Sequence, residues 1–185
     1  MVRLILNLFD VNQSTDLYQQ IQPDLVTVAF DPEGTGPDTH YKVLQIVAQA
    51  LRMAQSAKAN LKPKIWGYRN VWHRFQICDS SIAIPISAKA MDEMHKTFLA
   101  SFGCQKRAEF PSPEYDGPFS ILSQRFHIQQ QKELKILLGE KYFESHWNKK
   151  IRNADGFILL KEMEVDEFLE HADDLRSKIE IHKQL

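Results

Sequence analysis

The stretch Leu25-Val-Thr-Val-Ala-Phe30, then Asp31-Pro-Glu-Gly-Thr-Gly-Pro-Asp38, then His40 to Ala57, decides the fold. Its first six residues form a β-branched, apolar run that predicts a buried strand. The glycines and prolines at 32, 34, 36 and 37 predict a loop. Beyond the loop, Val43, Val47, Leu51 and Ala54 recur at helical spacing with Leu44 and Ala48 beside them, which predicts a long helix with one apolar stripe. A strand, a loop and a helix in that order form one half of a crossover unit. Pro63 to Tyr68 supplies the second strand, Val71 to Ile77 is a further candidate, and Ile82 to Ile86 another.

Working outward, residues 3–9 form a short apolar run that predicts a strand, and Asp10 to Gln22 predicts a turn and short helix. Ser14 or Thr15 is placed to cap that helix, Leu17, Tyr18 and Ile21 lie at helical spacing, and Pro23-Asp24 stops it. Downstream, a helix runs from about Ser87 to Phe102, capped by Ser87, with Met91, Met94, Phe98 and Phe102 on one face and Gly103 at its end. Residues 105–118 predict a long loop and Phe119 to Leu138 a helix, within which Gln129-Gln-Gln131 reads as polar and solvated. Asp155 to Lys161 predicts a last strand and Val165 to about Lys183 an amphipathic terminal helix rich in acids. Strands alternating with helices predict a single α/β domain, 1–185, with a largely parallel sheet.

Composition narrows the function classes. The 43% hydrophobic and 25% charged content is that of a globular chain, and 23 basic against 24 acidic side chains argues against a dedicated nucleic-acid binder. No apolar run reaches the ~18 residues that span a bilayer, so no membrane partner is expected. The run after Met1 has no small-residue cleavage site behind it and reads as a strand rather than a signal peptide. Cys78 and Cys104 are far apart with no CxxC pattern, which fits a reducing cytoplasm. Nucleophile-elbow, P-loop and dinucleotide fingerprints are all missing.

Two constellations carry chemistry. In open α/β sheets the ligand crevice lies beyond the carboxyl ends of the strands, which points to the loop after Phe30. There Asp31, Asp38 and His40 are candidates to hold a metal or to act as acid and base. The plainer reading makes Asp38 or Thr39 an N-cap and His40 a first-turn surface residue. The second constellation is Trp66-Gly-Tyr-Arg69-Asn70-Val-Trp72-His73-Arg74. From Lys42 to Arg74 there are seven basic residues and no Asp or Glu, a local field that suits an anionic sugar or sugar phosphate. Arg69, Asn70, His73 and Arg74 are the candidate binding residues; the alternative makes the aromatics core and the cations a solvated rim. His95, His127 and His146 read as packing or surface residues, and His171 and His182 as exposed.

The segment Asp31-Pro-Glu-Gly-Thr-Gly-Pro-Asp-Thr-His40-Tyr-Lys-Val, after a strand and before a helix, resembles the late histidine motif of the LmbE/PIG-L superfamily of zinc-dependent N-acetyl-sugar deacetylases. The closer resemblance is to the LmbE-like module at the C-terminus of glucosamine-6-phosphate deaminase-like bacterial proteins, which Ile65 to Phe75, Phe102 to Lys106, Tyr115 to Phe119 and Lys161-Glu-Met163 also resemble. The resemblance implies a partial Rossmann-like fold, a place in amino-sugar metabolism, zinc as cofactor, and His40 at the position of a metal ligand. Gly36 stands where the family's His-Pro-Asp-His motif has its first histidine, and Thr39 displaces the second. The early Ala-His-Pro-Asp-Asp-Glu segment has no counterpart, so the chain resembles the C-terminal portion of a larger protein. Two functions are therefore expected: part of a metal-dependent amide hydrolase, or a non-catalytic sugar-phosphate-binding module that has lost the metal site. A chain lacking the early strands is also expected to self-associate or to need a partner.

Overall fold

The computed structural model describes residues 10–30, 38–58, 60–69, 74–103 and 118–183. The expected strand at 3–9 and all but the last residue of the expected loops at 31–38 and 105–118 lie outside them. The architecture is mixed α/β, and the chain divides into two compact units, 1–73 with 161–185, and 74–160.

In the first unit, α1 (Val11–Ile21) leads to β1 (Leu25–Ala29), α2 (Asp38–Ala57) and β2 (Lys64–Tyr68). Asp10, not Ser14 or Thr15, caps α1: its carboxylate accepts from the Asn12 N–H at 2.8 Å. Ser14 and Thr15 are buried inside the helix, where their hydroxyls donate to the carbonyls of Asp10 and Val11 four residues back. β1 and β2 pair in parallel, with Val26 opposite Ile65 and Val28 opposite Gly67. Those four residues are buried, while Thr27 and Lys64 point the other way and are exposed. Helix α2 provides the crossover, and its Leu44, Val47, Ala48, Leu51 and Ala54 are buried as the apolar stripe required. Next to β2 runs the end of β4 (Gly156–Met163), followed by α7 (Val165–Lys183). Two cross-strand contacts, Lys64 with Glu164 and Trp66 Nε1 with Glu162 at 2.8 Å, descend in one number as they rise in the other, the sense of antiparallel neighbours. Gly67 allows close packing here, because a Cβ on it would stand 3.0 Å from the Phe30 Cβ and 3.1 Å from the Met163 Cε.

The second unit holds β3 (Ile82–Ile86), paired antiparallel with β4, and the helices α3 (Ala88–Ser101), α4 (Phe119–Leu138), α5 (Glu140–Ser145) and α6 (Lys149–Arg152). The sheet is thus mixed rather than largely parallel. Ser87 caps α3 as expected, accepting from the Ala90 N–H at 3.2 Å, but of the face expected on that helix only Met91 is buried. The candidate strand at 71–77 is corrected over its described part: residues 74–76 are irregular and Ile77–Asp79 forms a 3₁₀ turn, with Phe75 buried. Gln130 is also a correction, since it is buried rather than solvated, and Gln131 donates to the Ala154 carbonyl. His127 is a packing residue. Its Nε2 lies 3.1 Å from Ser123 Oγ, its Nδ1 is buried without a hydrogen-bond partner among the described residues, and a Cβ on Gly156 would come within 3.1 Å of its backbone.

β1 ends the strand order. Lys64 N–H donates to the Asp24 carbonyl at 2.9 Å and Phe30 N–H to the Tyr68 carbonyl at 2.7 Å, so the even-numbered residues of β1 direct their backbone groups to β2. Successive residues alternate, which leaves the N–H groups of Leu25, Thr27 and Ala29 on an edge that no described strand covers. Beside that edge Ile21 and Leu25 are 51% and 40% exposed. The chain is expected to associate through this edge, and Thr27→Pro, which removes an edge donor but no bond to β2, is expected to weaken association while leaving the circular dichroism spectrum unchanged. Sedimentation over a range of concentrations checks this; a wild-type monomer at every concentration would show that the edge is closed.

Burial holds the His127 imidazolium pKa below its usual value of 6.5, although the Gln130 side chain and the Phe157 backbone favour the cation. The unfolded chain therefore binds this proton at a higher pH than the folded one, and the stability this histidine contributes is lost as the pH falls below about 6.5. Denaturant midpoints measured at pH 7.5 and 5.5 should fall more in the wild type than in His127→Gln; equal falls would contradict the assignment.

Candidate functional site

The parallel pairing of β1 and β2 brings their carboxyl ends to the same end of the unit. Phe30 follows β1 directly, with its side chain buried and both backbone groups bonded to the other strand's end: its N–H donates to Tyr68 and its carbonyl accepts from Arg69 Nε at 2.9 Å. Arg69 is the first residue after β2, and its guanidinium is pinned by the carbonyl of the residue that follows β1. The Phe30 ring packs against Phe168 at 6.5 Å and meets His171 edge-on at 5.5 Å.

His171 carries the arrangement further. Its Nε2 lies 3.1 Å from Lys161 Nζ, an ammonium that donates to the imidazole nitrogen. Glu167, one turn earlier on α7, places Oε1 3.4 Å from that ammonium and 3.8 Å from the imidazole. Two cations therefore gather around one phenylalanine: Arg69 on its carbonyl, Lys161 through the imidazole on its ring. The Lys161 side chain is only 25% exposed, which holds it in place, and one carboxylate accompanies it. Such a set can bind an anion without large reorganisation.

Among the expected site residues, Arg69 stands at this strand end. Asp31, Asn70 and His73 lie outside the described residues. Asp38 opens α2 but is exposed and salt-bridged to Lys42 at 2.5 Å, one turn on. His40, in the first turn of α2, lines an apolar groove of about 500 Å³ with Val43, Val47 and, from α1, Leu17 and Tyr18. Burial there pushes the Tyr18 hydroxyl up to about 12. Arg74 belongs to the second unit, where it pairs with Glu133 at 3.1 Å and lies over the Phe126 ring at 5.8 Å.

A catalytic zinc needs about three protein ligands and an open position. Among the described residues no three His, Cys, Asp or Glu side chains come together, and the donors described near His40 are one imidazole and a lysine-paired carboxylate. The described donors by themselves make no three-ligand set, and no chemical step is derived through a zinc.

Sequence reasoning missed Lys161, Glu167 and His171. The reading of His171 as exposed is corrected, because it is half-buried against Phe30 and Lys161. A signal was present in the four-residue spacing of Glu167 and His171 on one helix face, but nothing local ties that face to a strand end 137 residues earlier, the separation of Phe30 and Glu167. No protein-family model, curated protein or solved structure matches this chain. Among the described residues no helix is long and apolar enough to cross a membrane.

Proposed function

We propose that the chain is a binding module for an anionic sugar, in the first place a sugar phosphate, held at the carboxyl ends of β1 and β2. The observation that carries this reading is the convergence of Arg69 and Lys161 on Phe30, the one through its carbonyl and the other through His171 on its ring. Arg69 meets the phosphate with its guanidinium, and the Lys161 ammonium supplies the second positive charge. The sugar ring then lies toward the strand ends, where the Phe30 contacts fix both cations before the ligand arrives. Of the two readings that the resemblance to LmbE-like modules raises, binding is the one that the described contacts of Arg69 and Lys161 support.

A charge-assisted Arg–phosphate contact contributes about 1.5–3 kcal/mol, so Arg69→Ala is expected to weaken glucosamine 6-phosphate binding by about tenfold or more. Arg74→Ala is expected to leave it unchanged, since that guanidinium is occupied by Glu133 and Phe126. Calorimetric titration of the wild type and both variants decides the matter; equal affinity in wild type and Arg69→Ala would remove the site from this strand end.

A further inference from the structure

The first unit carries a second cationic feature, apart from the strand ends. Between α2 and α7 lies a groove of about 470 Å³ whose lining includes Tyr41, Lys42, Gln45, Gln49, Arg52 and Arg176, with no carboxylate among the residues that line it. The three cations, Lys42, Arg52 and Arg176, are paired with two carboxylates, Asp38 and Asp173, which leaves the groove one positive charge in excess.

The two arginines are held in a fixed relation. Asp173 on α7 accepts from Arg52 Nη2 through one oxygen at 2.5 Å and from Arg176 Nη2 through the other at 2.7 Å. Arg52 Nη2 also reaches the Leu169 carbonyl at 3.3 Å, and Gln45 Nε2 ties the same two helices together on the Ala172 carbonyl at 2.8 Å. A clamp between helices would need no more than this. Yet both guanidinia spend a single nitrogen on it: among the described residues the Nε and Nη1 donors of Arg52 and Arg176 have no hydrogen-bond partner. One carboxylate thus neutralises one charge, orients two planar forks, and leaves donors for a further oxygen-rich anion.

We propose that this groove binds a phosphomonoester group of a small molecule. A phosphomonoester carries a charge of about −1.5 to −2 at pH 7 and offers three acceptor oxygens, which matches paired guanidinia better than a single carboxylate does. The groove's volume falls within the range of small-molecule sites, roughly 300–1,000 Å³, and the chain's balanced charge offers no extended field for a nucleic acid. Gln49 supplies a neutral amide at the groove wall, and Lys42, braced by Asp38, a third cation.

The test uses the full chain labelled with nitrogen-15 and inorganic phosphate as the probe, titrated against chloride at constant ionic strength, with the arginine Nε–H signals as the readout. The Arg52 and Arg176 signals are expected to shift saturably with phosphate and not with chloride. Arg176→Gln, which removes an exposed side chain, and Gln49→Glu, which places a carboxylate in the groove, are each expected to weaken that binding by about fivefold or more. Arg69→Ala is expected to leave it unchanged, so failure here and failure of the strand-end site are separate results. Absence of a saturable shift at Arg52 and Arg176, or unaltered titrations in both Arg176→Gln and Gln49→Glu, would overturn the proposal.

Discussion

The parallel pairing of β1 with β2 is the constraint on which the first unit depends. Two parallel neighbours cannot be joined by a tight turn, so the chain must return over one face of the sheet. Helix α2 makes that return, and its alanines and leucines follow from what it must pack against: Ala48, Ala50 and Ala54 let the helix lie close, while Leu44 and Leu51 fill the space between. Each of those leucines, fully buried, contributes about 1.5–3 kcal/mol. Gly67 extends the same closeness to the strand itself, where Phe30 and Met163 occupy the room a side chain would take.

The pairing also places the proposed site. Because both strands run the same way, both end together, and whatever follows them meets at one place. Arg69 is usable there because the Phe30 carbonyl, one residue past β1, is within reach of its Nε. Antiparallel β4 brings Lys161 back to the same unit from the other end of the chain, and α7 supplies His171 to steady it. The α2 and α7 helices serve twice, since the Asp173 clamp that joins them also sets the orientation of Arg52 and Arg176.

Much of this was legible in the amino-acid sequence and some was not, for physical reasons. The β-branched run at Leu25 and the 3.6-residue stripe of α2 are local patterns, and a local pattern is enough to specify a strand and a covered helix. The position of Arg69 just past a strand was legible because a strand-like run ends immediately before it. The direction of β4 was not, since an isolated strand carries no mark of which way its neighbours run. Asp10 outcompeted Ser14 and Thr15 as the cap because those hydroxyls are satisfied by carbonyls one turn back. Gln130 looked solvated among three glutamines, yet helical geometry turns one of three successive residues inward. Lys161, Glu167 and His171 were hidden by their distance in sequence from Phe30 and by an acid-rich helix whose polar residues look alike from sequence.

Amide hydrogen exchange along β1 tests the parallel pair most directly. In the monomer at low concentration, the N–H groups of Val26, Val28 and Phe30 should exchange slowly because they are directed to β2, while those of Leu25, Thr27 and Ala29 should exchange far faster from the edge that no described strand covers. Protection without this alternation, or protection of the odd-numbered set alone, would contradict the register and with it the placement of Arg69 beside Phe30.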